Sequence, residues 1–137
     1  MEILDPQNTV LTNAEVYNIV VEKKKAFSSA PKDHRASPAL RTVIYETLTY
    51  LSGSPAATQT EEQIKSLIRA LSPYKFTGAE ILQLINLRPK TAVEVQLVIE
   101  ECEERLTEEQ VNEIVEIVKQ NFPIQSETKN SLEAAEG

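Results

Sequence analysis

The sequence predicts an all-α protein, and three observations carry that prediction. The first is capping. Ser or Thr followed three residues later by Glu or Gln lets the two side chains satisfy two orphan backbone N–H groups reciprocally at a helix start. That spacing occurs at Thr12–Glu15, Thr60–Gln63, Thr77–Glu80, Thr91–Glu94 and Thr107–Gln110. The second is periodicity, since each box precedes apolar residues that recur with the helical period. The third is punctuation: Ser52-Gly53-Ser54-Pro55, Ser72-Pro73, Arg88-Pro89 and Pro123 stop the periodic segments.

The elements follow in order. A first helix is predicted over residues 13–25, opened by Thr12 and carrying Val16, Tyr17, Ile19, Val20 and Val21. The second spans 38–51. Ser37 caps it, and Pro38 takes the first helical position, where a missing N–H costs nothing. Leu40, Ile44, Leu48 and Leu51 form its stripe. The third spans 61–71, with Ile64, Leu67, Ile68 and Leu71 on one face. The fourth, 78–87, is apolar nearly all round (Ile81, Leu82, Leu84, Ile85, Leu87), which suits the centre of a bundle. The fifth spans 92–105 with Val95, Val98, Ile99 and Cys102 aligned, and the sixth spans 108–122 with Val111, Ile114, Val115, Val118 and Phe122. Loops of about four to six residues between helices three to six predict that consecutive helices pack as neighbours. Strand signals are weak, the best being Thr9-Val10-Leu11 with Ile3-Leu4 ahead of it.

Composition narrows the function classes. A chain of 137 residues with 41% apolar and 26% charged residues can bury a core without disulfide staples. A net charge of −7 disfavours an overall basic nucleic-acid binder. One Cys and one His exclude a disulfide framework and a multi-Cys or His-rich metal site. The three Gly fall in no phosphate-cradling spacing. No run of 18 apolar residues occurs, so no membrane span is expected. Residues 1–6, with Glu2 and Asp5, lack a secretory pattern, which points to a soluble intracellular protein. Charge is uneven. Residues 1–92 carry nine acidic and eleven basic side chains, residues 93–137 twelve and three, suggesting two different contact surfaces.

The organisation read from this pattern is an arm and helix over residues 1–25, a polar linker over 26–36, a helical bundle over 37–123, and a disordered acidic tail over 124–137. The arm holds Ile3, Leu4, Val10 and Leu11, and its helix has more β-branched apolar surface than an isolated helix leaves in water. Either it folds back onto the bundle or it docks on a partner, and the separating linker favours the partner.

Candidate chemistry is sparse. The carboxylates of Glu100-Glu101-Cys102-Glu103-Glu104 point several ways on a helix, where a hard cation needs them converging. Cys102 lies on an apolar stripe and reads as a buried, inert thiol. His34 sits in the polar linker and reads as exposed. Lys23, Lys24 and Lys25, with Lys32 and Arg35 beyond, form the best nucleic-acid candidate. Cations at a helix C-terminus also simply suit the dipole, and only Phe27 interleaves with them. No nucleophile, base and oxyanion set assembles, so neither an enzyme, a cofactor nor a metal is expected.

Three stretches carry a family resemblance. Leu11-Thr12-Asn13-Ala14-Glu15-Val16 resembles the N-terminal signature of the small helical stalk subunits of RNA polymerase III. Lys75-Phe76-Thr77-Gly78-Ala79-Glu80-Ile81-Leu82-Gln83-Leu84-Ile85-Asn86-Leu87-Arg88-Pro89 resembles that family's central helix and turn, and residues 91–110 continue the likeness. It covers roughly residues 1–122 and is most specific over 75–110. The linkers at 26–36 and 53–59 match poorly, and position 14 carries Ala where the family pattern has an aromatic residue.

The resemblance implies a helical domain similar to the HRDC (helicase and RNase D C-terminal) fold. It implies a non-catalytic subunit in the nucleus, paired in a stalk heterodimer with a larger subunit that has a tip domain and an oligonucleotide-binding barrel. The pair protrudes from the polymerase III core, meets initiation factors at tRNA and 5S rRNA genes, and contacts RNA mainly through the partner. Ile3, Leu4, Val10, Leu11, Val16, Tyr17 and Val20 are then expected on the partner, with Tyr45 and Leu48 extending that surface. The alternatives are an autonomous helical nucleic-acid-binding module, or a receptor-associated signalling adaptor. The latter rests only on the animal member's other name, calcitonin gene-related peptide receptor component.

Overall fold

The computed structural model describes residues 4, 9–32 and 37–123. Among these there are seven α-helices and no strand: α1 (Asn13–Ser29), α2 (Pro38–Ser52), α3 (Glu61–Leu71), α4 (Gly78–Leu87), α5 (Ala92–Val98), α6 (Cys102–Arg105) and α7 (Glu108–Asn121). Thr9, Val10 and Leu11 are irregular, not a strand. All five capping boxes form with both hydrogen bonds in place, at Thr12, Thr60, Thr77, Thr91 and Thr107. Ser37 Oγ accepts from Leu40 N at the start of α2. The expected tail, 124–137, lies outside the described residues.

The chain divides into two compact units, Met1–Thr58 and Gln59–Gly137. The boundary therefore differs from the expected break over 26–36. In the first unit α1 packs against α2 and against a short 3-10 turn at Pro55–Ala57. Val16, Tyr17, Val20 and Val21 become half-buried, which removes part of their apolar surface from water. α1 also runs four residues beyond its expected end. The hydroxyls of Ser28 and Ser29 donate to the carbonyls of Lys24 and Lys25 at 2.8 and 3.0 Å, so this polar pair continues the helix rather than opening a linker. Ala14 is buried at α1's start, and the core of this unit is otherwise thin: Ile44, Leu51 and Ala56.

The second unit has the denser core. Leu67, Leu71, Leu84, Ile85, Val95, Ile114 and Val118 are its fully buried side chains. α3 and α5 both pack on α7, and α4 on α5. α7 rather than α4 is thus the hub, because its stripe of Val111, Ile114, Val118 and Phe122 is buried along three turns while Leu87 of α4 stays exposed. Buried Gln59 donates through Nε2 to the Ile85 carbonyl at 2.6 Å, tying the segment before α3 to the end of α4.

The expected fifth helix is broken in two. Ile99 is extended (φ −89°, ψ 121°) and Glu101 is left-handed (φ 50°, ψ 43°). Across the break Ile99 and Cys102 are both buried, as their shared stripe predicts, and the Glu100 carbonyl accepts from Arg105 Nη1 at 3.1 Å. Arg105 also forks onto Glu80, with Nη1 to Oε1 at 2.6 Å and Nη2 to Oε2 at 3.1 Å. Past the break a charge-assisted ion pair thus joins α6 to α4.

Candidate partner-docking surface

The first unit concentrates exposed apolar surface. Of the twelve exposed large hydrophobic residues among those described, eight lie in it: Leu4, Val10, Leu11, Ile19, Leu40, Val43, Tyr45 and Tyr50. All seven of the largest fully buried side chains lie in the other unit. A pair of helices with so small a core and so much apolar surface in water is the usual mark of an interaction site.

Between α1 and α2 runs an open groove of about 720 Å³. Tyr17, Val21, Lys24 and Ser28 stand on one face of α1 at helical spacing, opposite Tyr45, Leu48, Thr49 and Ser52 of α2. Toward the C-terminal end of α1 a second cavity of about 350 Å³ opens among Lys24, Phe27, Ser28, Arg41, Ile44 and Tyr45. Tyr45, 63% exposed, borders both. The surface is apolar and aromatic along its length and cationic at one end.

The structure gathers some of the sequence-predicted residues and not others. Tyr17, Tyr45 and Leu48 meet in the groove with Lys24 and Lys25. Val10 and Leu11 are exposed just ahead of the Thr12 cap. Val16 and Val20 lie half-buried on α1, and Leu4 is exposed. Lys23 and Lys32 are exposed and do not line the groove. Ile3 and Arg35 lie outside the described residues. Sequence reasoning named Val21 and Phe27 without assigning them to the docking surface, and it missed Arg41 and Thr49. The i, i+4 pairing of Tyr17 with Val21 and of Arg41 with Tyr45 was the signal that could have found them.

The second unit holds a polar cluster that the sequence did not reveal. Glu80 closes the α4 capping box and takes the Arg105 fork, while Arg105 lies 5.9 Å from the Phe76 ring centroid. Phe76 stacks on Tyr74 at 5.7 Å, and the Tyr74 hydroxyl donates to Glu113 at 2.8 Å. The Arg105 hydrogen bonds hold the Glu80 carboxyl below its ordinary range, with burial opposing. Burial and Glu113 raise the Tyr74 hydroxyl. Burial pushes the Cys102 thiol up against the pull of Arg105, which keeps it neutral at pH 7. These groups are locked onto one another and join α4, α6 and α7; they present no free acid and base across a cleft.

Comparison with known proteins decides the family. The RNA polymerase Rpb4 family pattern matches residues 10–122. The chain belongs to the RNA polymerase Rpb4 family. Among its relatives, the DNA-directed RNA polymerase III subunit rpc9 of Schizosaccharomyces pombe is 32% identical over 129 residues, 90% of this chain and all of that protein. The protein of the same name from Dictyostelium discoideum is 30% identical over 108 residues, 74% of this chain and 77% of that one. The Saccharomyces cerevisiae DNA-directed RNA polymerase III subunit RPC9 is 33% identical over 58 residues, 42% of this chain and 36% of that one. The Rpb4 match begins at Val10, so it takes in the exposed pair ahead of α1 and the whole α1–α2 groove. Among the described residues no helix is long and apolar enough to cross a membrane.

Proposed function

We propose that this chain is a non-catalytic subunit of DNA-directed RNA polymerase III in the nucleus. It forms the stalk heterodimer with the subunit carrying the oligonucleotide-binding barrel and supports initiation at tRNA and 5S rRNA genes. The observation that carries the docking half is the contrast between the units. The first unit exposes eight large apolar residues over a thin core, which a partner subunit would cover. Family membership and the relatives' names support the polymerase half. Val10, Leu11, Tyr17, Tyr45 and Leu48 are the main anchors, Leu4, Val16 and Val20 contribute, and Ile3 is assigned to the same interface from the sequence alone. Tyr is favoured at such a place because it buries a large ring while keeping its hydroxyl wet.

The test is co-expression of the full chain with the barrel-containing subunit, followed by pull-down. Val10→Asp with Tyr45→Asp is expected to abolish pairing while circular dichroism stays helical, since both side chains already stand in water. Unchanged pairing would remove these residues from the interface. A second reading has one observation in its favour. Lys24, Arg41, Phe27 and Tyr45 bring two cations and two rings to one cavity, as single-stranded nucleic-acid sites do. Steep salt dependence of RNA affinity for the lone chain would support it, and absence of binding at low salt would remove it.

A further inference from the structure

We propose that the groove between α5, α6 and the start of α7 docks a Lys/Arg-rich amphipathic helical segment of a partner protein. The groove, about 530 Å³, lies wholly in the second unit and shares no residue with the α1–α2 surface, so it stands or falls apart from the stalk reading. Val93, Leu106 and Val111 give it an apolar lining, and Glu103 and Glu108 flank them. Val93 is 63% exposed, and Leu97, one turn further along α5 and just beyond the groove's lining, is 81% exposed. Two aliphatic side chains at i, i+4 thus stand in water on a helix whose opposite face, through Val95, is fully buried.

Charge decides what covers them. Residues 93–123 carry nine acidic side chains against two basic ones. Both cations are engaged, Arg105 with Glu80 at 2.6 Å and Lys119 with Glu116 at 4.0 Å. Glu103, Glu104, Glu108 and Glu109 have no ion-pair partner among the described residues. Covering the groove with a neutral apolar segment would desolvate the carboxylates without compensation. An acidic segment or a nucleic acid would meet like charge. A segment with an apolar stripe bordered by Lys or Arg buries Val93 and Leu97 and neutralises Glu103 and Glu108 together. The leading end of α7 does not compete for an anion, because Thr107 and Gln110 close its capping box and Glu108 and Glu109 already oppose its dipole. At seven residues α5 is about 10 Å long. The contact therefore involves about two turns of the partner helix.

The test uses the full chain and a fluorescein-labelled peptide of about four helical turns, built from Leu on one face and Lys on the other. Anisotropy gives the affinity, and backbone amide shifts locate the site. The expected result is binding that shifts Val93, Leu97, Leu106 and Glu108. Val93→Ser with Leu97→Ser, and separately Glu103→Gln with Glu108→Gln, should each weaken it at least tenfold. Both pairs are on the surface, so the fold should survive them, with circular dichroism as the check. Equal affinity for a peptide with Ser replacing Leu would mean that the surface is acidic only, and would overturn the proposal. Shifts confined to the α1–α2 groove, or no binding at low salt, would overturn it too.

Discussion

Glu101 tests the claim that the break in the fifth helix holds a strained backbone. Its backbone is left-handed at φ 50°, and its carbonyl accepts from Glu104 N and Arg105 N at 3.0 and 3.2 Å to start α6. An L-residue pays about 1–2 kcal/mol in that region, which glycine avoids. Glycine in turn loses about 0.4–1 kcal/mol through the freedom it adds to the unfolded chain. Glu101→Gly should therefore stabilise the protein by about 0.5–1 kcal/mol, a rise in Tm of about 2–8 °C for a unit of this size. Glu101→Val, β-branched and worst suited to positive φ, should cost about 1 kcal/mol or more. Removing a charge from the Glu100–Glu104 run also has to be controlled. Glu101→Gln keeps the strain and should stay within about 0.5 kcal/mol of the parent. Urea unfolding followed by circular dichroism reads all three. If Glu101→Gly proved no more stable than Glu101→Gln, the left-handed backbone would carry no cost, and the account of the break would be wrong.

Three other outcomes are expected. Arg105 holds the Glu80 carboxyl below its ordinary 4.5, so the folded protein binds fewer protons than the unfolded chain. That stability is present above about pH 4.5 and is lost as pH falls through the folded value; acid titration should show a flatter limb for Glu80→Gln, and an identical limb would refute it. Leu67→Ala, at a site with no exposure, should cost about 3–5 kcal/mol by chemical denaturation, whereas Leu97→Ala should stay within about 0.5 kcal/mol. In surface plasmon resonance against the barrel-containing subunit, Tyr45→Ala should raise the dissociation rate, while Lys24→Gln with Arg41→Gln should mainly slow association; the reverse pattern would contradict the roles given to them.

The helix starts were the most legible part of the fold. A capping box is decided by two side chains three residues apart, so Thr12, Thr60, Thr77, Thr91 and Thr107 could be read without knowing what surrounds them. Helix ends were less legible. Ser28 and Ser29 have a linker's composition but bond back to α1, and neither Gly nor Pro marks the break at Ile99–Glu101. The ion pair that accompanies that break is made with Glu80, some twenty residues earlier, and no local pattern carries it. Stripes predicted burial better than position in the unit. α3 buries Ile64, Leu67 and Leu71 of its expected face but leaves Ile68 exposed, α7 buries all of its face but the half-buried Val115, and the choice of α7 over α4 as hub depends on how three helices meet.

The candidate docking surface was half legible for a related reason. Tyr17, Tyr45 and Leu48 were marked as apolar residues in need of cover, but Arg41 gained meaning only when folding placed it beside Lys24 and Phe27. Net charge is likewise a coarse guide. The Debye length at physiological ionic strength is about 8 Å, so a docking partner senses the charges within one or two helical turns of its contact rather than the chain's total of −7. Residues 1–58 hold six acidic and six basic side chains, so the entire excess lies in residues 59–137. At the cationic end of the α1–α2 groove, Lys24, Lys25 and Arg41 set the local sign; beside α5 and α6, Glu103 and Glu108 set the opposite one. The acidic excess and the cationic end of the groove thus belong to different units, and each is felt through the charges nearest to it.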